Sequence, residues 1–159
     1  MRRAQDNVIV GAAPDAAISA WTDLDRWPAF VDGFAHVVRA DPAWPAVGSE
    51  VVWRSGPAGR GEVSERVEAL AHDRFVTAVS EQALTGTQAV SARAEEGGTR
   101  VELELEYELV QGGAFSAISD LLFIRRALRD SLRRTLGAFE AEAGADPGEA
   151  PGPPRPPII

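Results

Sequence analysis

Val101-Glu102-Leu103-Glu104-Leu105-Glu106-Tyr107-Glu108-Leu109 alternates apolar and acidic residues without a break. A period of two over nine residues is a β-strand with one buried and one wet face, in a fixed register. The four glutamates read as the solvated face, which also guards the strand against edge pairing. They do not read as a metal site, since no histidine lies near them in sequence. After Gln111-Gly112-Gly113 the period changes. Between about residues 114 and 143, Leu121, Ile124, Leu128, Leu132, Leu136 and Phe139 recur every three or four residues, which places them on one face of a long helix. Arg126, Arg129 and Arg133 fall on the opposite side. Asp130 lies within one turn of Arg126, Arg133 and Arg134, so that side reads as a solvated, internally paired surface. A helix of this length needs a long apolar partner, and the strands before it are the only candidate.

Working outward, Asn7-Val8-Ile9-Val10 reads as a first strand. Pro14 and Asp15 suit a helix start, followed by Ile18 and Trp21. A second short helix begins at Trp27-Pro28, and Gly33 ends it. Strands are predicted over 35–40, 51–53, 61–70, 75–80 and 87–94, joined by turn signals that imply antiparallel pairing. Glu96-Gly97-Gly98 marks a hairpin into the 101–109 strand. In 61–70, Val63, Val67 and Ala69 share one face. The expected fold is α+β: a curved antiparallel sheet of six to seven strands around a long C-terminal helix, with two short helices after the first strand. One domain spans residues 1–144. Residues 145–159 hold six of the eleven prolines and read as a disordered tail, with docking to an SH3-type protein partner as the alternative.

Composition narrows the function. The chain has 159 residues, a formal net charge of −8, and no cysteine. The acidity argues against nucleic acid or an anionic membrane surface as the main partner. The lack of cysteine excludes disulfides, a thiol nucleophile and a cysteine zinc site. All sixteen basic residues are arginine, so Schiff-base chemistry on lysine is excluded. The same bias suggests a GC-rich bacterial genome. No secretory signal and no membrane span are visible, and the expected location is cytoplasmic. No cofactor or metal is expected.

Some residues resemble a known superfamily. Residues 23–34, Asp-Leu-Asp-Arg-Trp-Pro-Ala-Phe-Val-Asp-Gly-Phe, resemble the helix-turn signature of the SRPBCC proteins. Residues 45–53, Pro-Ala-Val-Gly-Ser-Glu-Val-Val-Trp, resemble that superfamily's turn before a strand. The 100–109 strand and the Arg/Leu-rich helix after it resemble its last strand and gripped helix. The match covers roughly residues 5–142 and is closest to the polyketide cyclase/dehydrase-like branch. START domains, birch-pollen allergens and Coq-type lipid chaperones are other members. The resemblance implies a helix-grip fold with an apolar cavity between sheet and helix. The fold alone does not fix the function.

On this chain such a cavity would be lined by Trp53, Val63, Val67, Phe75, Val90, Leu103, Leu105 and Tyr107 from the sheet. Leu121, Ile124, Leu128 and Leu132 would line it from the helix. The competing reading is that these residues simply fill a core. Two positions stand out as candidates for chemistry. Tyr107 places a hydroxyl in the buried row, where it needs a partner. Glu65 shares the apolar parity of Val63 and Val67, and a buried carboxylate must be paired, protonated or turned outward by a bulge. Arg54 and Arg93 are its candidate partners. His36 and His72 show no spacing for a metal or a triad. Residues 56–61, Gly-Pro-Ala-Gly-Arg-Gly, lack the lysine and helix of a phosphate loop and read as a hairpin loop.

The expected function is binding or carriage of a small hydrophobic molecule such as a lipid, isoprenoid or polyketide. The alternative is an aromatase/cyclase-type enzyme using Tyr107 and Glu65 as acid and base. A partner-binding protein of the Coq type is the second alternative. The first is preferred because few polar residues point inward. Phe115, Ile118, Leu122 and Phe123 broaden the apolar stripe at the start of the helix. The Gly112-Gly113 hinge beside them is the expected entrance for a ligand.

Overall fold

The computed structural model describes residues 1–56, 60–110 and 118–144, with the helical side chains from Leu122 onward. Strand β1 spans Arg2–Val10 and is followed by helix α1, Pro14–Thr22. Pro14 occupies the first turn of α1 with Asp15 beside it, where a missing N–H and a negative charge are both favourable. A 3-10 turn at Leu24–Arg26 leads into the one-turn helix α2, Trp27–Phe30. Six strands follow: β2 Phe34–Ala40, β3 Glu50–Ser55, β4 Glu62–Ala71, β5 Arg74–Ser80, β6 Leu84–Glu95 and β7 Gly98–Leu109. The chain then forms helix α3, Ile118–Gly144. Its 27 residues span about 40 Å.

All seven strands form one antiparallel sheet in the order β1-β7-β6-β5-β4-β3-β2. The alternation in 101–109 is realised as expected: Val101, Leu103, Leu105 and Tyr107 are buried and the glutamates between them are wet or half-buried. Gly97 and Gly98 carry φ of +88° and +145° at the β6–β7 turn, a backbone that favours glycine. The fold is the predicted α+β helix-grip arrangement, a curved sheet with a long C-terminal helix.

An aromatic cluster fixes the helices to one another. Trp21 of α1, Phe30 of α2 and Phe139 of α3 meet in tilted and edge-to-face contacts with ring centroids 4.8 to 5.0 Å apart. Trp27 makes an edge contact with Trp53 of β3 at 6.3 Å, tying the helical layer to the sheet. The C-terminal half of α3 is therefore firmly seated: Leu132, Leu136 and Phe139 are buried.

Two expectations change. A β-bulge between Val67 and Ala69 breaks the alternation of β4, so Ala69 is exposed and does not join Val63 and Val67; a bulge reverses the faces downstream of it. Among the described residues no ion pair joins Asp130 to the arginines of α3: Arg133 bonds Asp6 of β1 and Arg134 bonds Asp32 after α2, while Asp130 acts on Arg134 only at longer range. Among the described residues no helix is long and apolar enough to cross a membrane. The proline-rich segment 145–159, residues 114–117 and the Gly112-Gly113 hinge lie outside the described residues.

Candidate functional site

The inner face of the sheet carries a line of polar side chains across four adjacent strands. Trp53 lies on β3, Glu65 on β4, Thr77 on β5 and Gln88 on β6. The ladder brings them together: Thr77 is directly opposite Gln88 and diagonal to Glu65, which itself faces Val79. Glu65 is only 5% exposed, and no bulge turns it outward. Its Oε2 accepts a 2.8 Å hydrogen bond from Trp53 Nε1. Its Oε1 accepts from Thr77 Oγ1 at 3.1 Å and from Gln88 Nε2 at 3.4 Å. Burial pushes the carboxyl above its usual value, and the Trp53 bond, the Arg60 charge and the Thr77 bond only partly offset this. Glu65 is thus a buried carboxyl with both oxygens hydrogen-bonded that keeps its proton to higher pH than an exposed glutamate does.

The expected partners Arg54 and Arg93 are elsewhere. Arg54 is exposed and paired with Glu62, and Arg93 is exposed, because both project from the outer face of the sheet. The cation near Glu65 is Arg60, which folds back from the β3–β4 connection. Its guanidinium carbon lies 5.8 Å from the Trp53 ring centroid, a cation–π arrangement. Its Nε donates to Glu81 Oε2, in the β5–β6 connection. The Glu81 side chain is 4% exposed, and burial raises its pKa against the pull of Arg60.

Two spaces adjoin this cluster. The inner one is a cavity of about 40 Å³ lined by Trp53, Glu65, Gln88, Leu103 and Leu132 among others, room for a water rather than a ligand. The outer one is a cleft of about 600 Å³, bounded by Ile124, Ala127 and Leu128 of α3, Ala83 and Leu84 before and in β6, and Gly33 and Gly56. Its volume falls in the range of small-molecule sites. Arg60, Asp32 and Ser131 line both spaces, so they form the partition between them. Phe123 lines the cleft and is 71% exposed.

Asp32 anchors the helical wall. It accepts from Ser131 Oγ at 2.9 Å and from Arg134 Nε and Nη2 at 3.0 and 3.2 Å. Its backbone N–H donates to Thr135 Oγ1 at 3.0 Å. Burial pushes the Asp32 carboxyl upward, but the Arg134 and Ser131 bonds prevail and hold it below its usual value.

The twelve lining residues expected from the sequence separate into three groups. Ile124 and Leu128 line the cleft. Trp53, Leu103 and Leu132 line the small inner cavity. Val63, Val67, Phe75, Val90, Leu105 and Tyr107 are buried members of the hydrophobic core, and Tyr107 borders neither space. The side chain of Leu121 lies outside the described residues. Sequence reasoning missed Arg60, Glu81, Asp32 and Leu84. The one available signal was an arginine inside a glycine-rich turn. His36 and His72 are exposed, and among the described residues no cluster of acids and imidazoles could hold a metal.

A curved sheet closed by a C-terminal helix, with a cleft between helix and strand connections, defines the helix-grip class of proteins. The chain matches the family model described as polyketide cyclase/dehydrase and lipid transport over residues 1–144, and it belongs to that family. Several solved structures share the fold. The di-domain aromatase/cyclase StfQ of the steffimycin biosynthetic pathway superposes with a TM-score of 0.72 at 17% identity, covering 89% of this chain and 50% of that one. The Zhui aromatase/cyclase of a Streptomyces species gives 0.68 at 14% identity, covering 89% and 93%. A Chromobacterium violaceum protein gives 0.69 at 12% identity, covering 92% and 100%. At these identities the likeness is one of fold. No curated protein matches the chain by sequence.

Proposed function

We propose that the protein binds and carries a small, mainly apolar molecule in the cleft beside the N-terminal half of α3. The observation that carries this reading is the cleft itself: about 600 Å³ walled by Leu84, Phe123, Ile124 and Leu128. Burying such side chains against a ligand yields about 25 cal/mol per Å² of apolar surface. The family description, which joins cyclases to lipid transport, supports the same ligand chemistry: a lipid, an isoprenoid or a polyketide.

A second reading, an aromatase/cyclase-type enzyme, is favoured by one specific observation. Glu65 is a buried carboxyl whose pKa is raised by burial and which lines the inner cavity beside the partition that bounds the cleft, an arrangement that suits a general acid. Tyr107 is a poorer candidate because it borders neither space. Carriage is preferred because the Glu65 oxygens are already engaged by Trp53, Thr77 and Gln88. A role resting on partner proteins or the proline-rich tail draws on nothing in the described residues.

Native mass spectrometry of protein purified from its own host tests the reading. The expected result is a bound small molecule that is missing from an Ala127→Trp variant, whose indole would fill the cleft. Equal occupancy in both proteins would place the ligand elsewhere.

A further inference from the structure

Leu122 and Phe123 are the two most exposed large apolar side chains in any described helix or strand, at 62% and 71%. Both lie near the N-terminus of α3, and Phe123 lines the cleft. Val110 is also exposed. Its N–H donates to the Ala83 carbonyl, so it stands beside another residue of the cleft wall. Apolar groups gathered in one place, unlike singly exposed ones, mark a contact surface.

The same stretch of helix is cationic. Arg125, Arg126 and Arg129 follow Leu122 by three, four and seven residues, which places them around it on one side of α3. All three are exposed. The ion pairs made by the described residues of α3 run through Arg133, Arg134 and Glu142, and none involves these three arginines. Half-buried Asp130 is the only carboxylate among the described side chains from Leu122 to Asp130. The net charge of −8 comes from the rest of the molecule. At physiological salt the field of an exposed charge fades over about 8 Å, so a surface facing this half-helix meets the local arginines.

An apolar pair flanked by arginines complements an anionic phospholipid surface. Its phosphates accept from the guanidiniums and its acyl layer takes the apolar side chains. A hydrated acidic peptide would pair the arginines but leave Leu122 and Phe123 in water. We infer that the N-terminal half of α3 is a docking surface for an anionic phospholipid bilayer. Leu122 and Phe123 enter the boundary between headgroups and acyl chains, and Arg125, Arg126 and Arg129 engage the phosphates. The contact is peripheral, since no described helix is long and apolar enough to span a membrane. It sets the mouth of the cleft against lipid, yet it stands on the helix face alone and holds whatever the cleft binds.

Co-sedimentation of the full chain with vesicles tests this, with phosphatidylcholine alone and with an equal mixture of phosphatidylcholine and phosphatidylglycerol. Binding to the mixture should be at least about tenfold tighter, and should weaken as salt is raised. Arg125→Gln/Arg126→Gln/Arg129→Gln should abolish the preference. Arg66→Gln/Arg74→Gln/Arg93→Gln removes the same charge from exposed positions on the sheet and should bind like wild type. Leu122→Ser should weaken binding to the mixture about fivefold. Circular dichroism should show all three variants folded. Equal binding to the two kinds of vesicle, equal loss in the two arginine variants, or full binding by Leu122→Ser would overturn the inference. Binding to poly-glutamate but to neither vesicle would assign the face to an acidic protein instead.

Discussion

Trp53 Nε1 donates a 2.8 Å hydrogen bond to Glu65 Oε2 across the β3–β4 ladder, and this diagonal pair helps hold a carboxyl group on the buried inner face of the sheet. The bond depends on register: Trp53 faces Val63 and Glu65 faces Val51, so the two polar side chains share one face two positions apart. A slip of one residue between β3 and β4 would put the two side chains on opposite faces of the sheet.

The first prediction concerns the proton on Glu65. Its folded pKa is raised above the ordinary value of 4.5. The stability linked to that proton is therefore complete below about pH 4.5 and is lost as pH rises through the folded value. Gln at this position keeps an acceptor for Trp53 and carries no charge at any pH. The unfolding midpoint of Glu65→Gln should rise relative to wild type as pH goes from about 5 to about 8. A difference that stays constant over this range would mean that Glu65 titrates normally.

Removing the donor instead of the acid has the opposite sign. Trp53→Phe keeps most of the ring and deletes the N–H that satisfies Glu65 Oε2. Urea unfolding should show a loss of about 1–3 kcal/mol. A neutral result would show that the indole nitrogen contributes nothing to holding the carboxyl.

Asp32 has the reverse pH dependence. Its folded pKa lies below the ordinary 3.8, so its contribution is present above that value and is lost as pH falls through the folded pKa. Asp32→Ala releases Ser131 and Arg134 of α3 and should cost about 1–2 kcal/mol at neutral pH. The difference from wild type should shrink in acid. Denaturation curves at neutral and acid pH that show the same difference would rule out this carboxylate as the anchor of the helical wall.

Two glycines should respond oppositely to alanine. A Cβ at Gly86 would sit 2.1 Å from the Glu106 carbonyl oxygen, backbone that cannot yield without parting β6 from β7. Gly86→Ala should cost at least about 2 kcal/mol. At Gly137 in α3 a Cβ meets nothing within 4 Å, and alanine there should stabilise by about 0.5–1 kcal/mol. Thermal unfolding of both variants checks the pair.

Much of the fold was legible because its signals are local. The alternation at 101–109, the heptad-like stripe of α3 and the glycine turns each specify an element without reference to the rest. Parity alone also placed Glu65 inward. Its partners were not legible, since Thr77 and Gln88 reach it only through the register of three strands. Arg60 was harder still. It sits in a turn that reads as a plain hairpin loop, and only the closed sheet brings its guanidinium over Trp53 and against Glu81. The apolar residues assigned to a cavity proved to be a mixture of core and lining, because sequence periodicity marks a buried face but not whether another side chain or a ligand covers it.

The central claim, that the cleft between α3 and the β5–β6 connection takes an apolar ligand, is tested most directly by titrating phenylnaphthylamine into wild type and Ala127→Trp. The account predicts low-micromolar binding to wild type, a free energy of about −8 kcal/mol, and a loss of at least about tenfold in the variant. Equal affinity in two folded proteins would contradict it.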